Sequence, residues 1–196
     1  MDELNGSAIL KKIERCGRVC YKSEEKIDDG TAEKFVAGII KRGHESVLEH
    51  FSFTVKFIVD RGVSHELVRH RIASFSQEST RYCNYGNDDG GCTFIEPCFW
   101  DKDDEMEGNF SSWNSSMLLS ENQYLSLLRR GATPQEARSV LSNSLKTEVV
   151  MTCNLREWRH FFKLRTANAA HPQMREVTVP LLNKLKELIP VIFNDI

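Results

Sequence analysis

The sequence predicts an α+β fold: a single domain over residues 1–196, built on a mostly antiparallel sheet flanked by helices, with a long helix pair in the C-terminal half. Three observations lead there. Apolar residues recur at intervals of three and four along several segments, the period of an amphipathic helix. Two other stretches carry a strand signature, one by strict alternation and one by a β-branched run. No regular strand–helix–strand rhythm joins them, and neither Gly-x-Gly-x-x-Gly nor Gly-x-x-x-x-Gly-Lys-Ser/Thr occurs, which argues against a doubly wound nucleotide-binding sheet. A chain of 196 residues can bury one proper core and is short for two.

Residues 5–16 place Ala8, Ile9 and Ile13 on one helical face. Residues 31–42 repeat the pattern with Phe35, Val36, Ile39 and Ile40, and Gly43 supplies the stop. Ser46-Val47-Leu48-Glu49 has the form of a capping box, the start of a short helix. Phe51, Phe53, Val55, Phe57 and Val59 alternate with mostly polar residues, a strand buried on one face. Residues 64–71 read as a helix that carries Arg69 and His70, and 75–81 as a polar loop. Residues 82–85 and 92–96 read as short strands around a Gly-Asn-Asp-Asp-Gly-Gly turn, and the acidic stretch 101–108 as a solvated loop. Residues 111–130 form a long helix closed by Gly131. Thr133-Pro134-Gln135-Glu136 joins a capping box to proline at the first helical position. Residues 147–153 are a β-branched strand, and Asn154 then caps a helix that runs to Arg165. His171-Pro172 opens a last helix toward Leu188, with Pro180 predicting a kink.

Composition narrows the function. The net charge of -2 argues against nonspecific nucleic-acid binding. No apolar run approaches the ~20 residues of a membrane helix, and Met1-Asp2-Glu3 lacks the basic-then-apolar layout of a leader. The six cysteines form no Cys-x-x-Cys pair, which disfavours a zinc ribbon or a dithiol redox motif and predicts reduced thiols in a cytoplasmic protein. His65-Glu66-Leu67-Val68-Arg69-His70 imitates a zinc-protease helix but sets its histidines five apart, roughly 140° around a helix. No metal site is expected.

One segment stands apart from this balance. Arg69-His70-Arg71-Ile72-Ala73-Ser74-Phe75-Ser76-Gln77-Glu78-Ser79-Thr80-Arg81-Tyr82 crowds three guanidinium groups and an imidazole into a chain of near-neutral charge. Arginine offers a planar fork that matches phosphate, Ser79 and Thr80 add hydroxyls, and Gln77 adds an amide that both donates and accepts. Such a segment suits an anionic, partly aromatic small molecule; a solvated, salt-bridged face is the plainer alternative.

The order of these residues resembles the signature of the flavin-dependent thymidylate synthases: Arg-His-Arg, seven residues, Ser79, then Arg81. The resemblance runs from about Arg18 to about Glu176 and includes three further blocks in the family's order. These are Gly43-His44-Glu45-Ser46-Val47-Leu48-Glu49-His50, Pro134-Gln135-Glu136-Ala137-Arg138, and Asn154-Leu155-Arg156-Glu157-Trp158 with Leu164-Arg165 beyond it. It implies an enzyme that makes thymidylate from deoxyuridylate, with methylenetetrahydrofolate as one-carbon donor and NADPH-reduced FAD as hydride source. A nucleotide- or flavin-binding module of the same fold without full turnover is the alternative, set against the intact trio Arg81, Arg138 and Arg165. The resemblance also implies a homotetramer with shared active sites.

Carried over residue by residue, the resemblance assigns Arg165 as catalytic. It assigns cofactor contacts to His44, Ser46, Arg69, His70, Arg71, Ile72, Gln77, Asn154, Arg156 and His160. It assigns substrate contacts to Glu66, Arg69, Gln77, Glu78, Ser79, Thr80, Arg81, Arg138 and Arg165. The chain departs from many members at Ser76-Gln77, where they read Asn-Glu, at Thr80 in place of glycine, and at His160 in place of asparagine. The spacing of residues 167–172 also differs.

Overall fold

The computed structural model describes residues 4–86, 91–100 and 108–196. Residues 87–90 of the expected turn, 101–107 of the expected acidic loop and Met1-Asp2-Glu3 lie outside the described residues. The backbone sorts into two compact units, each assembled from separated stretches: Met1–Val55, His70–Ser74 and Met151–Ile196 in one, Lys56–Arg69 and Phe75–Val150 in the other. Three strands, β1 (Ser52–Asp60), β2 (Ser74–Gln77) and β3 (Lys146–Asn154), form an antiparallel sheet in the order β1-β3-β2. The chain passes between the units within β1, after Arg69, after Ser74 and within β3. Along β3 every second residue is buried, from Thr147 to Cys153, the period of a strand with one face on a core.

In the first unit, α1 (Gly6–Val19) begins where the Asn5 side chain accepts from the Ala8 backbone N–H at 2.9 Å, and it buries Ile9 and Ile13 as its spacing predicts. α2 (Thr31–Lys41) ends before Gly43, whose φ of 72° is the left-handed conformation that glycine adopts without steric cost. Ser46 is not a helix cap. A 3-10 turn covers Glu45–His50 with His44 at its cap position, and Glu49, expected to reach back to Ser46, pairs instead with Arg156 at 2.7 Å. α6 (Leu155–Arg165) is capped as predicted, by Asn154 Oδ1 accepting from the Glu157 N–H at 2.9 Å. Its inner face forms the core: Trp158 stacks on Phe53 at 4.7 Å, donates to the Phe53 carbonyl, and meets Phe161 and Phe162. α7 (Pro172–Leu188) stays helical through Pro180, and a short α8 (Pro190–Phe193), unforeseen in the sequence, adds Phe193 to the same aromatic cluster.

In the second unit, α3 is Arg61–Leu67, not residues 64–71. Asp60, directly after β1, accepts from the Val63 N–H at 2.6 Å and starts the helix three residues early, so Arg69 and His70 follow it in non-helical chain. The expected polar loop at 75–81 is in part strand β2, because β3 needs a backbone partner on that side; the Glu78 N–H extends the pairing to the Glu148 carbonyl at 2.9 Å. Residues 82–85 are turn and irregular chain, not strand: the Tyr85 N–H donates to the Tyr124 hydroxyl instead of a ladder. Of residues 92–96, Phe94 alone makes a β-bridge, to Leu145. α4 (Asn109–Arg129) and α5 (Pro134–Ala137) match expectation, and Glu136 takes the Thr133 N–H at 2.8 Å and its hydroxyl at 2.6 Å. Tyr85, Cys92, Tyr124, Ala137 and Leu145 form this unit's buried cluster.

Arg159 on α6 is 1% exposed and donates to both oxygens of Asp195 at 2.7 Å, to Glu45 at 3.1 Å and to the Ile192 carbonyl. The guanidinium holds the Asp195 carboxyl below the usual carboxylate range, with burial opposing. A depressed carboxyl contributes stability that is present above its unfolded pKa, about 3.9, and is lost as pH falls through the folded value. Asp195→Asn therefore lowers Tm at pH 7, and the gap to the parent narrows by pH 3. Equal gaps at the two pH values, measured by thermal melting, would show that the carboxylate charge is not what Arg159 requires.

Candidate functional site

Of the sequence-predicted residues, the first unit holds His44, Ser46, His70, Arg71, Ile72, Asn154, Arg156, His160 and Arg165. The cap geometry of α6 puts Asn154 and Arg156 at its N-terminus, and one turn on comes His160. These three and Ile72 line an open cavity of about 480 Å³. Lys163 adds a second cation to its wall, and Glu45, Glu49 and Glu157 add carboxylates. Each carboxylate has a partner: Arg159 for Glu45, Arg156 for Glu49 and His70 for Glu157. A larger cavity of about 760 Å³ lies along α1, β1 and α7. Among the described residues, Lys12 and Lys184 are the titratable side chains of its lining. His44 is exposed, with Nδ1 3.5 Å from the Tyr21 hydroxyl, and Ser46 and Arg71 are exposed as well.

His70 is the buried member of the set, 4% exposed. Arg165 Nε donates to its Nε2 at 3.1 Å, and its Nδ1 lies 3.1 Å from Glu157 Oε1. A guanidinium can only donate, so Nε2 is the bare nitrogen and Nδ1–H donates to the carboxylate. Burial above all, and the Arg165 charge after it, lower the His70 pKa against the raising effect of Glu157. His70, Glu157 and His160 bring one donor atom each within 4.8 Å of one another, a possible metal cluster. Both His70 nitrogens are already engaged, one of them by a cationic neighbour, so Glu157, His70 and Arg165 form a hydrogen-bonded chain with the His160 ring beside it. Glu157 is the residue that sequence reasoning missed as more than part of the helix start. The available signal was a carboxylate at 157 in a stripe with Phe161 and Arg165, spaced to share one face of α6.

The second unit holds Glu66, Arg69, Gln77, Glu78, Ser79, Thr80, Arg81 and Arg138. Arg138 follows α5 and donates from Nη1 to Thr80 Oγ1 at 3.3 Å, joining two expected substrate contacts that lie 58 residues apart. Ser79 Oγ accepts from the Arg81 N–H at 3.3 Å, and the exposed Arg81 guanidinium lies over the Tyr82 ring at 5.4 Å. The Gln77 amide donates to Ser64 Oγ at 2.9 Å and Thr147 Oγ1 at 3.3 Å, while Ser64 spends its own proton on the Arg61 carbonyl. Gln77 can give the proton that Ser64 lacks; a carboxylate there could not. Glu78 accepts from the Tyr85 hydroxyl at 2.7 Å and from Lys146 at 3.2 Å. Burial first, then Glu78, drives the Tyr85 hydroxyl pKa up, so it remains a donor. Glu66 is half-buried on α3, and Arg69 is exposed beyond its end. The cysteines are free thiols; burial pushes Cys92 up to about 11 and raises Cys153 further, which makes both poor nucleophiles near neutrality.

A family model described as thymidylate synthase complementing protein matches residues 7–191. A protein of Pyrococcus horikoshii named flavin-dependent thymidylate synthase is 39% identical over 172 residues, covering 86% of this chain and 70% of the relative. Proteins of the same name from Geobacter sulfurreducens and Corynebacterium glutamicum are 36% and 32% identical, covering 91% and 93% of this chain and 78% of each relative.

The Arg156–Glu49 pair is about half exposed on both sides, and such pairs contribute ~1 kcal/mol at most. Arg156→Ala accordingly leaves the fold intact, with a stability change under about 1 kcal/mol by denaturant titration. A much larger loss would make Arg156 a structural residue and remove it from the ligand-binding set.

Proposed function

The chain belongs to the thymidylate synthase complementing protein family, and on that premise we propose that it is a flavin-dependent thymidylate synthase. It converts deoxyuridylate to thymidylate with methylenetetrahydrofolate as one-carbon donor. FAD, reduced by NADPH, supplies the hydride when bound. The observation that carries the substrate assignment is the Arg138–Thr80 contact, which gathers Arg138, Thr80, Ser79 and Arg81 as a set of cations and hydroxyls suited to a nucleotide phosphate and sugar. The resemblance adds Glu66, Arg69, Gln77 and Glu78 to the substrate contacts.

The donor set around the 480 Å³ cavity fits a flavin cofactor. Its carboxylates are paired, which leaves Asn154 at a helix N-terminus, the Lys163 cation and the His160 imidazole to meet polar and anionic groups. Asn154, Arg156, His160 and Ile72 are the proposed contacts there, with His44, Ser46, Arg69, His70, Arg71 and Gln77 carried over from the resemblance. Arg165 is assigned to the pyrimidine. Its guanidinium stabilises the negative charge that develops as the ring becomes enolate-like. No protein nucleophile is required, so Ser79 binds and does not attack. A homotetramer in the cytoplasm completes the proposal, testable by light scattering.

The absorption spectrum of the purified protein tests the cofactor: oxidised-flavin bands are expected, and a protein that takes up no FAD would refute the assignment. Arg81→Ala should weaken deoxyuridylate binding about ten- to a hundredfold, as loss of a charged phosphate contact worth roughly 1.5–3 kcal/mol implies, while bound FAD is retained. Unchanged affinity by calorimetry would count against it. Arg165→Lys should cut turnover by about a hundredfold, because lysine lacks the planar fork, with flavin reduction by NADPH near normal in stopped flow. A loss confined to flavin reduction would take Arg165 out of the pyrimidine's chemistry.

A further inference from the structure

Arg165 has an exacting task if it faces the pyrimidine: its plane must be held at a fixed orientation before substrate arrives. The first unit contains the means. His70 Nε2 accepts from Arg165 Nε at 3.1 Å, and the other face of the same ring is fixed by Glu157 at 3.1 Å. Phe161 packs against the imidazole with ring centroids 5.0 Å apart and His160 at 5.8 Å, both at a steep angle to its plane. Glu157, Phe161 and Arg165 recur every four residues on α6, spread over roughly 80° of its surface. That spacing lays one imidazole along two turns of helix. The backbone end of Arg165 is tied separately, by Thr178 of α7 donating to its carbonyl at 2.9 Å.

We propose that Glu157 and His70 are positioning residues for Arg165: Glu157 selects the Nδ1–H tautomer of His70, whose Nε2 lone pair then anchors Arg165 Nε and sets the guanidinium plane. His70 thereby has a task distinct from the flavin contact that the resemblance implies. A purely structural group at this place would not need the tautomer. An apolar side chain would fill the space beside Phe161 without desolvating an imidazole and a carboxylate. The inference rests on the assignment of Arg165 to the pyrimidine. Among the described residues, the titratable and charged groups facing His70 are Glu157, His160 and Arg165, all on α6.

Two substitutions at His70 separate the possibilities, because glutamine offers an acceptor near the Nε2 position and asparagine does not. His70→Asn should lower kcat at least about tenfold, as expected for one lost charge-assisted hydrogen bond. Its KM for deoxyuridylate should stay near that of the parent, with kcat taken per bound FAD. His70→Gln should recover most of that loss. In an Arg165→Lys background His70→Asn should add nothing, since the anchored group is already gone. Equal losses in the asparagine and glutamine variants, or losses that multiply with Arg165→Lys, would each overturn the proposal. Side-chain ¹⁵N spectra of the parent test the anchor without turnover. They should show neutral, Nδ1-protonated His70 at pH 7.5, and the Nε2–H tautomer or an imidazolium would overturn it. A parent with the expected spectrum but no thymidylate formation would defeat the assignment as a thymidylate synthase and leave the anchor standing.

Discussion

His70 sits between a carboxylate and a guanidinium, and the contact with Arg165 exists only while the ring carries no net charge. An imidazolium has no lone pair to offer. The protein enforces the neutral form by burial and by placing a cation against Nε2, while Glu157 at Nδ1 pulls the other way and fixes the tautomer. Three polar groups thus share one arrangement, and altering any of them changes what the others can do. The arrangement needs a rigid base more than it needs strong bonds, and the rest of the first unit supplies that base.

The base is α6. One face of this eleven-residue helix carries Trp158, Phe161 and Phe162 into the core, where Trp158 stacks on Phe53 and donates to its carbonyl. The helix begins at the Asn154 cap and ends where Thr178 holds the Arg165 carbonyl. Arg159, fully desolvated, adds charge-assisted bonds to Asp195 and Glu45. Phe161 serves twice, as core residue and as the floor under the His70 ring. Burial therefore fixes the rotation of α6, and that rotation decides where Glu157 and Arg165 emerge.

The sequence exposed most of this framework because its signals are local. The Asn154 cap, the Thr133–Glu136 capping box, the Gly43 stop and the alternation along β1 and β3 depend on neighbours within a few residues. What it hid depends on partners far along the chain. Ser74–Gln77 is polar enough to read as loop and became a strand because β3 had an edge to satisfy. The Ser46 capping box lost its glutamate to Arg156, 107 residues away. Asp60 started α3 early because a carboxylate at a strand end outcompeted the later Ser64. The same limit held at the site. Arg156, Arg138 and Arg165 could be named from the family's order of residues, but Glu157 as the partner of His70, 87 residues away, could not.

The arginines show why position matters more than number. Arg159 is matched by Asp195 and Glu45, so its charge is compensated and its work is cohesion. Arg156 is matched by the single, half-exposed Glu49, a pair that an incoming anion can open at little cost. Arg138 is steadied by a hydroxyl and Arg81 lies over an aromatic ring, both neutral supports. A neutral support restricts where a guanidinium points without cancelling its field, which is the condition for holding a phosphate. Arg165 adds a further case, since its Nε is occupied by a neutral imidazole whose own orientation is imposed by a carboxylate one step away. Arg165, His70 and Glu157 thus lie in one hydrogen-bonded series, with the imidazole between the guanidinium and the carboxylate. A chain with net charge -2 can in this way present localised positive charge to an anionic substrate while remaining nearly neutral as a whole.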